Sequence, residues 1–244
     1  MERLKRMSRA EREVIKRLTD VSIESAWGVC SRHGYGSNFI NGLTCVHPER
    51  KMVGRAVTLR YLPVRPDLQE MSRKRFRTAP NKYAIETMEP GDVLVVDSGG
   101  ETGAGFLGDV IATRLEVRGG AGIVCDGAVR DLSVVATMDF ALYIRGAHAA
   151  GSGRAIVGWD YNIPVRIAGV AVLPGDILMG DNEGVLVIPA HLAKEAAEAG
   201  AAQDHKENFL RRVLKEKKLS IEECYPPNAR VLKMYEAFKK AEGK

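Results

Sequence analysis

Apolar runs of strand length alternate with amphipathic stretches through the middle of the chain. Residues 93–97 and 121–127 are continuous β-branched and aliphatic runs, which are typical of strands buried on both faces of a sheet. Between them, residues 106–119 have the spacing of an amphipathic helix, and a short helix beginning at Asp131 precedes the next run. This alternation predicts an α/β fold with parallel strands joined by helices. The strands predicted for this half are 52–62, 93–97, 121–127 and 140–144.

Both ends of the chain have helical signals. Ser8 and Glu11 have the spacing of a capping box, which predicts a helix from that point. Thr19 or Asp20 is expected to cap a second helix that ends near Gly34. The residues after 190 are predicted to be mostly helical, with a break at residues 225–227.

Beyond residue 155 the pattern changes to short apolar runs joined by Gly and Pro turns, which predict a β-rich half. One short repeat connects the two halves: Pro90-Gly91-Asp92 and Pro174-Gly175-Asp176 each stand before a predicted strand. We interpret both as similar turns, because Pro sets φ at one central position and Gly allows a positive φ at the next.

The chain has 244 residues, of which 45% are apolar and 27% charged, as in ordinary globular proteins. The formal net charge of +5 resides at the helical ends, and the segment 64–79 forms a basic loop or short helix. We interpret these charges as solvated or subunit-contact faces, and nucleic-acid binding is not expected. The sequence has no run of 18 apolar residues, so a membrane span is not expected. Residues 1–18 are charged throughout and lack the apolar core of a secretion signal. The four cysteines are far apart and form no CxxC pair, so a cytoplasmic location is expected.

Gly103, Gly105 and Gly108 match the GxGxxG pattern of dinucleotide-binding proteins, and Asp126 follows at a suitable distance. The first glycine of that pattern belongs in the tight turn at the end of the strand. Here residues 98–102 intervene. We therefore favour another role for this loop.

A glycine-rich turn at a helix N-terminus presents free amides to an anion. Asp109 lies in the first turn of that helix, and Arg130-Asp131 follow the adjacent strand. Because parallel strands end on one crevice, these side chains and the amides of Val110 and Ile111 can converge. Carboxylates favour Mg²⁺ or Mn²⁺, and arginine favours a carboxylate or enolate oxygen. An equally open interpretation is structural, with Asp109 at the helix dipole and Arg130-Asp131 as a surface pair.

The spacing of Gly105, Asp109 and Arg130-Asp131 resembles the GxxxD-x20-RD signature of the RraA-like family. That family includes 4-hydroxy-4-methyl-2-oxoglutarate aldolases and the regulator of ribonuclease activity A. The resemblance covers about residues 15–220, and we treat 1–244 as a single domain. Further similar segments are 53–58, 126–127, 174–176 and 181–189.

The resemblance implies a compact α/β/β/α sandwich of the swivelling, phosphohistidine-domain-like kind, with a helical N-terminal arm and a helical C-terminal tail. It also implies trimers or hexamers. The activity it implies is that of a divalent-metal class II aldolase that binds a pyruvate unit of a small 2-oxo acid. Decarboxylation of oxaloacetate is expected as well, since it passes through the same enolate.

By the same resemblance, Asp131 would hold the metal ion, Asp109 would join it at the metal site by binding or orienting a metal water, and Arg130 would contact the keto oxygen. The substrate carboxylate would meet the amides of Val110 and Ile111, beside Gly108. Glu207 is matched to a family glutamate that reaches the site of a neighbouring subunit.

Two other functions remain open. The first is a protein-binding regulator of ribonuclease activity, which requires no catalysis. The second is a lyase or dehydratase that acts on a sugar-derived 2-oxo acid. Pyruvate release from oxaloacetate, with and without EDTA, separates the aldolase from the regulator.

Overall fold

A computed structural model describes residues 4–217 and 219–242 of the chain. Strands and helices alternate from residue 52 to residue 144, as predicted. The strands are β1 (Phe39–Ile40), β2 (Thr44–Cys45), β3 (Met52–Pro63), β4 (Asp92–Asp97), β5 (Gly122–Cys125), β6 (Ala128–Val129), β7 (Ala141–Ile144), β8 (Gly146–Ala147), β9 (Ile156–Tyr161), β10 (Val165–Ile167), β11 (Val170–Val172), β12 (Ile177–Gly180) and β13 (Val185–Ile188). The helices are α1 (Arg9–Leu18), α2 (Ile23–Arg32), α3 (Pro66–Arg75), α4 (Pro80–Thr87), α5 (Asp109–Val117), α6 (Leu132–Val135), α7 (Ala193–Lys217), α8 (Ile221–Cys224) and α9 (Ala229–Ala241), with short 3₁₀ turns at Ser152–Arg154 and Ala190–Leu192.

One mixed sheet contains nine of the described strands, in the order β1-β13-β12-β3-β4-β5-β7-β2 with β9 also beside β3. The long strand β3 makes this possible. One of its edges pairs with β12 through the first half and with β9 through the second half, and its other edge pairs with β4. Strands β3, β4, β5 and β7 are mutually parallel, so their carboxyl ends lie at one edge of the sheet.

Both faces of the sheet are buried. Successive side chains of a strand point to opposite sides, and each set packs against a different layer. Leu94 and Val96 pack beneath α4, α5 and α6, whereas Val93 and Val95 pack against the β10–β11 hairpin. A third apolar cluster holds α1, α2 and α7 against β12 and β13. The sheet is curled into a half-barrel. The predicted α/β class is therefore confirmed, and the finer α/β/β/α sandwich arrangement stays a prediction.

The local predictions for the first helices are partly confirmed. Ser8 and Glu11 form the expected capping box of α1. The predicted caps of the second helix are wrong, because Ser22, not Thr19 or Asp20, accepts the amide of Ser25. Thr19 still belongs to the end of α1, where its hydroxyl donates to the carbonyl of Lys16 at 2.6 Å.

The helix predicted from Phe106 begins three residues later, at Asp109. Phe106 and Leu107 are buried, and their backbone groups bond to Ala128 and Arg130 after β5, so they stay outside the helix. The basic segment 64–79 contains the ten-residue helix α3. The break at residues 225–227 separates α8 from α9.

The two Pro-Gly-Asp turns are confirmed. Gly91 and Gly175 have φ values of 88° and 94°. In each turn the aspartate side chain accepts the amide three residues earlier, at 2.7 Å for Asp92 and 2.8 Å for Asp176.

Within residues 4–217 and 219–242, no helix combines the length and the apolar run that a membrane crossing needs. The four cysteines are free thiols. The predictions for the ends of the chain include residues 1–3, 218 and 243–244, which lie outside the described residues.

A buried ion pair connects the first two parallel strands. Arg55 on β3 is the register partner of Asp92 on β4, and their side chains form two hydrogen bonds of 2.9 and 3.0 Å. The remaining Nη1 of Arg55 donates to the carbonyl of Lys5 at 2.7 Å, and the second oxygen of Asp92 accepts the amide of Glu89. The pair thus fixes the register of β3 and β4 and fastens the N-terminal segment to the sheet.

We expect Arg55→Met to lower the free energy of unfolding by about 3–5 kcal/mol, because Asp92 is left as a buried, unpaired carboxylate. Urea unfolding followed by circular dichroism measures the loss. The matched control is Arg17→Met, which breaks an exposed pair with Glu13 and should cost about 0–1 kcal/mol. Equal losses in the two variants would contradict the structural importance of the buried pair.

Candidate functional site

Two chain segments lie side by side at the carboxyl ends of β4 and β5. The amide of Phe106 donates to the carbonyl of Ala128 at 3.0 Å, and the amide of Arg130 donates to that of Leu107 at 2.8 Å. These bonds hold the glycine-rich loop before α5 against the Arg130-Asp131 segment before α6. The predicted convergence of the two segments is therefore present in the fold.

The glycines of the loop are explained by this close approach. A Cβ atom at Gly105 would lie 2.5 Å from Cγ of Arg130, and one at Gly108 would lie 2.5 Å from Oδ2 of Asp131. A larger residue at either position would displace a predicted site side chain. Packing within the chain thus accounts for two glycines of the GxGxxG pattern without a dinucleotide.

Asp109 and Asp131 face the first turn of α5. Oδ2 of Asp131 lies 3.4 Å from the amide nitrogen of Asp109, and Oδ1 of Asp109 accepts the amide of Val110 at 2.7 Å. Ile111 lies in the same turn. The backbone amides of a first helical turn have no carbonyl partner within the helix. The carboxylate of Asp109 therefore occupies the anion-binding position that the sequence predicts for a substrate carboxylate.

Asp131 has left-handed backbone angles, with φ 53° and ψ 37°. A residue other than glycine adopts this region at a cost of about 1 kcal/mol or more. Asp and Asn tolerate it best among such residues. The conformation directs the exposed Asp131 side chain toward Gly108.

Arg130 is half-buried, and its Nε atom is fully buried without a hydrogen-bond partner among the described residues. Its Nη1 lies 3.5 Å from the place where a Cβ of Gly151 would stand. Since an unsatisfied buried donor is unfavourable, this guanidinium is suited to an oxygen-rich ligand.

The loop that follows β8 borders Arg130. The amide of His148 donates to the carbonyl of Val129 at 2.9 Å, and Nδ1 of His148 accepts the amide of Ala150 at 2.9 Å. The amide of Gly105 donates to the carbonyl of Ala150 at 2.9 Å, which connects this loop to the glycine-rich loop. His148 thus serves the loop structure through both its backbone and its ring.

Two buried aspartates support the site from the strand ends. Oδ1 of Asp126 accepts the amide of Ser98 at 2.7 Å, and Asp97 accepts the amide of Arg166 at 3.2 Å and Nε of Arg60 at 3.3 Å. Burial raises the pKa of Asp126, and the charge of Asp97 adds to this rise. The sequence reasoning gave neither residue a supporting role, although each directly follows a continuous apolar run.

Cys125 precedes Asp126 at the end of β5 and is completely buried. Its Sγ accepts the amide of Gly127 at 3.2 Å and lies 3.4 Å from the hydroxyl of Ser98. Burial raises the pKa of this thiol to about 12. The thiol is therefore protonated at neutral pH and belongs to the core, as predicted.

Glu207 lies elsewhere in the chain. It accepts Nε2 of Gln203 at 2.7 Å and lines a cleft of about 670 Å³ with Glu24, Glu183 and Trp27. The structure does not bring it to Asp131 within one chain. Its role toward a neighbouring subunit stays a prediction.

The donor set suits a hard divalent cation. In the described part of the chain, no three His, Cys, Asp or Glu side chains are grouped as metal ligands. Mg²⁺ commonly uses one or two carboxylates and completes its shell with water and substrate oxygens. Asp131 and Asp109, with a glycine cradle that a Cβ would fill, fit this mode.

Comparisons with known proteins agree on one family. A family model described as RraA-like, Aldolase/RraA, matches residues 19–187, a shorter region than the 15–220 predicted. A Halalkalibacterium halodurans protein named "Putative 4-hydroxy-4-methyl-2-oxoglutarate aldolase" is 37% identical over 106 residues, which are 43% of this chain and 50% of that protein. One of the same name from Ectopseudomonas mendocina is 37% identical over 112 residues, which are 46% of this chain and 68% of the relative.

Solved structures agree in fold. Streptomyces coelicolor RraAS2, described as an unusual member of the RNase ES inhibitor RraA protein family, has a TM-score of 0.74 at 30% identity, over 85% of this chain and 98% of that one. An uncharacterised Pseudomonas syringae protein has a TM-score of 0.73 at 22% identity, over 87% of this chain and 96% of that one.

We expect Gly108→Ala to weaken Mn²⁺ binding about tenfold or more, because the added Cβ displaces the Asp131 carboxylate. Isothermal titration of the purified variants measures the affinity. Gly146→Ala is the matched control, since a Cβ there has no neighbour within 4 Å. Unchanged affinity in Gly108→Ala would place the cation away from Asp131.

Proposed function

The chain belongs to the RraA-like family, and from this premise we propose that it is a divalent-metal-dependent class II pyruvate aldolase. The proposed substrate is a 4-hydroxy-2-oxo acid of the 4-hydroxy-4-methyl-2-oxoglutarate type, in keeping with the names of the relatives. Oxaloacetate decarboxylation is the proposed side activity, and the cytoplasm is the proposed location.

The observation that supports the proposal is that the Arg130-Asp131 segment lies against the loop before α5, which places the Asp131 carboxylate beside Asp109 at the first turn of that helix. The guanidinium has a buried nitrogen without a partner. The amide of Val110 is held by the Asp109 carboxylate, so this position accepts a carboxylate group. A 2-oxo acid offers the two oxygens, keto and carboxylate, that these groups need.

Asp131 and Asp109 are the residues that would hold Mg²⁺ or Mn²⁺. The bound ion would supply a Lewis acid for the 2-oxo group. The substrate carboxylate would replace the side chain of Asp109 at the amides of Val110 and Ile111, beside Gly108. This exchange leaves Asp109 free to turn toward the ion and its water.

In the cleavage direction, the 4-hydroxyl passes its proton to the water that Asp109 orients, and the C3–C4 bond breaks. Its electron pair passes to C3, and C4 becomes the carbonyl carbon of the second product. Arg130 binds the oxygen that becomes negative in the resulting pyruvate enolate, which is the role of a preorganised cation. C3 then takes one proton, delivered by a water that Asp109 orients, and forms the methyl group of pyruvate.

We further propose a homotrimer or a hexamer, in which Glu207 of one copy approaches the site of another. Exposed valines on α5 and α6 support a contact surface there, with Val110 at 78%, Val117 at 70% and Val134 at 46% exposure. Val110 and Val117 are seven residues apart and share one face of α5, and an exposed apolar patch is typical of an interaction surface. The basic helical ends, predicted from the sequence over residues 1–20 and 200–244, are proposed to lie at or near subunit contacts through their described residues.

The ribonuclease regulator is the second candidate function, and the similarity to RraAS2 favours it. It requires no turnover, so it predicts normal partner binding in an Asp131→Ala variant. A lyase or dehydratase for a sugar-derived 2-oxo acid shares the enolate step and differs in its substrate, and the dehydratase breaks a C–O bond where the aldolase breaks the C3–C4 bond.

We expect EDTA to abolish pyruvate formation from 4-hydroxy-4-methyl-2-oxoglutarate and from oxaloacetate, and Mg²⁺ or Mn²⁺ to restore it. Coupled reduction of pyruvate measures the rate. Full activity after exhaustive chelation would exclude the class II mechanism. A Schiff-base route would instead need a lysine, and none lies between Lys82 and Lys194.

Substitutions of Arg130 and of Asp131 should have different effects on kcat and on metal affinity. Arg130→Ala should lower kcat by about 10²–10³ with little change in metal affinity, because it removes a donor to the developing oxyanion. Asp131→Ala should lower both kcat and metal affinity. Arg130→Lys should recover little of the lost kcat, since an ammonium group lacks the planar fork of a guanidinium. Arg114→Ala on α5, an exposed ion-pair partner of Glu86, is the control that should retain activity. Near-normal turnover in Arg130→Ala would move the regulator ahead of the aldolase.

Light scattering at micromolar concentration should give a molecular mass equal to that of three or six chains. Glu207→Gln should preserve this assembly and the metal affinity while lowering kcat, because its carboxylate acts at a neighbour's site. Glu198→Gln, at an exposed position on α7, is the control. A stable monomer with full activity would contradict both the assembly and the role of Glu207.

A further inference from the structure

Two buried side chains donate to one backbone carbonyl in the loop before α5, that of Phe106. The hydroxyl of Tyr61 on β3 lies 3.2 Å from this oxygen, and Nδ2 of Asn81 on α4 lies 3.0 Å from it. Both side chains are buried, as is Phe106 itself. A carbonyl oxygen has two lone pairs, so these two donors can satisfy it completely.

The two donors are themselves fixed by the elements that carry them. The register between β3 and β9 shifts just before Tyr61, and such a shift re-aims the neighbouring side chain. Burial raises the pKa of the Tyr61 hydroxyl, so this group is protonated and donates at neutral pH. Asn81 lies in the first turn of α4, where its Oδ1 accepts the amide of Lys82 at 2.9 Å. This bond leaves Nδ2 of Asn81 to face the loop.

The residues that follow this carbonyl are the ones that contact the candidate site. Because a peptide unit is planar, fixing the oxygen of Phe106 also fixes the orientation of the bond to Leu107. The carbonyl of Leu107 accepts the amide of Arg130 at 2.8 Å. One residue further, a Cβ atom at Gly108 would lie 2.5 Å from Oδ2 of Asp131. A displacement of the Phe106 carbonyl would therefore move the backbone that lies against both site residues.

We propose that Tyr61 and Asn81 are positioning residues, which together hold the loop before α5 against the Arg130-Asp131 segment. The inference rests on the proposed function, because it assigns this loop to a metal and 2-oxo acid site. Neither residue is proposed to contact the ion or the substrate. Loss of both donors leaves a buried carbonyl without a partner, which is unfavourable and favours movement of the loop toward water.

The test compares a loop pair of substitutions, Tyr61→Phe/Asn81→Ala, with a control pair, Tyr143→Phe/Asn38→Ala. The control pair removes the same two groups from buried hydrogen bonds to backbone carbonyls, at 3.0 and 2.7 Å. Neither of those carbonyls belongs to the loop before α5 or to the segment before α6. The control pair therefore reproduces the general loss of buried hydrogen bonds without touching the site.

Titration calorimetry measures Mn²⁺ affinity, and hydrogen exchange followed by mass spectrometry measures the mobility of the peptide 103–111 without metal. The loop pair should lose about tenfold in Mn²⁺ affinity, and its peptide 103–111 should exchange about tenfold faster than in the wild type. The control pair should keep the wild-type affinity and the wild-type exchange of this peptide. Equal effects of the two pairs on both measurements would overturn the positioning role, because a general loss of stability would then explain them.

The two measurements also separate this inference from the proposed function. Absence of Mn²⁺ binding and of pyruvate formation in the wild type would contradict the aldolase, while the exchange of residues 103–111 would still decide whether the two donors hold the loop. Wild-type exchange and Mn²⁺ affinity in the loop pair of an active enzyme would overturn the positioning role and leave the aldolase in place. If the loop pair does not fold, Tyr61→Phe alone is compared with Tyr143→Phe by the same two measurements, and an equal effect of these two would likewise overturn it.

Discussion

The buried pair of Arg55 and Asp92 sets the geometry on which the remainder of the fold depends. Two charges removed from water are tolerated only when their hydrogen-bonding groups have partners. Here Lys5 and Glu89 supply the additional backbone partners. Because side chains alternate along a strand, a one-residue slip of β4 would carry Asp92 into the apolar cluster on the opposite face. The register of the parallel strands is therefore strongly specified, and Asp97 follows at the far end of β4.

That register also determines where the site is formed. Val96 pairs with Cys125, so the aspartates that follow these two residues end neighbouring strands at the same level. The two loops begin at these buried aspartates. Asp126 accepts the backbone amide of Ser98, and Asp97 accepts that of Gly99. The two loops then cross close enough that only glycine fits opposite Arg130 and Asp131. The candidate site is consequently a product of backbone crossing, with few side-chain contacts of its own.

Sequence reasoning succeeded where information is local. The capping box at Ser8, the Pro-Gly-Asp turns and the apolar runs of β4 and β5 each need only a few adjacent residues. The spacing of Asp109 and Arg130 was sufficient to predict one crevice, since parallel strands share an edge.

Other features could not be predicted because they depend on contacts distant in sequence. The choice of Ser22 over Thr19 depends on where the previous helix stops packing. The pairing of β9 with β3 joins segments that are nearly a hundred residues apart in the chain. In the basic segment, Arg75 and Arg77 are alike in sequence, and only the fold shows that Asp160 neutralises the first.

The buried thiol of Cys125 has a consequence for chemical durability. Only a thiolate reacts readily with peroxides and electrophiles, and burial raises the pKa of this thiol to about 12, so the protonated form predominates at pH 7. Oxidation to a sulfenic acid would need both exposure and ionisation, and the fold denies both. The strand end that supports Asp126 therefore contains sulfur without becoming a target for oxidative damage. Inactivation by thiol reagents would have to begin at Cys45, the cysteine that is only partly buried.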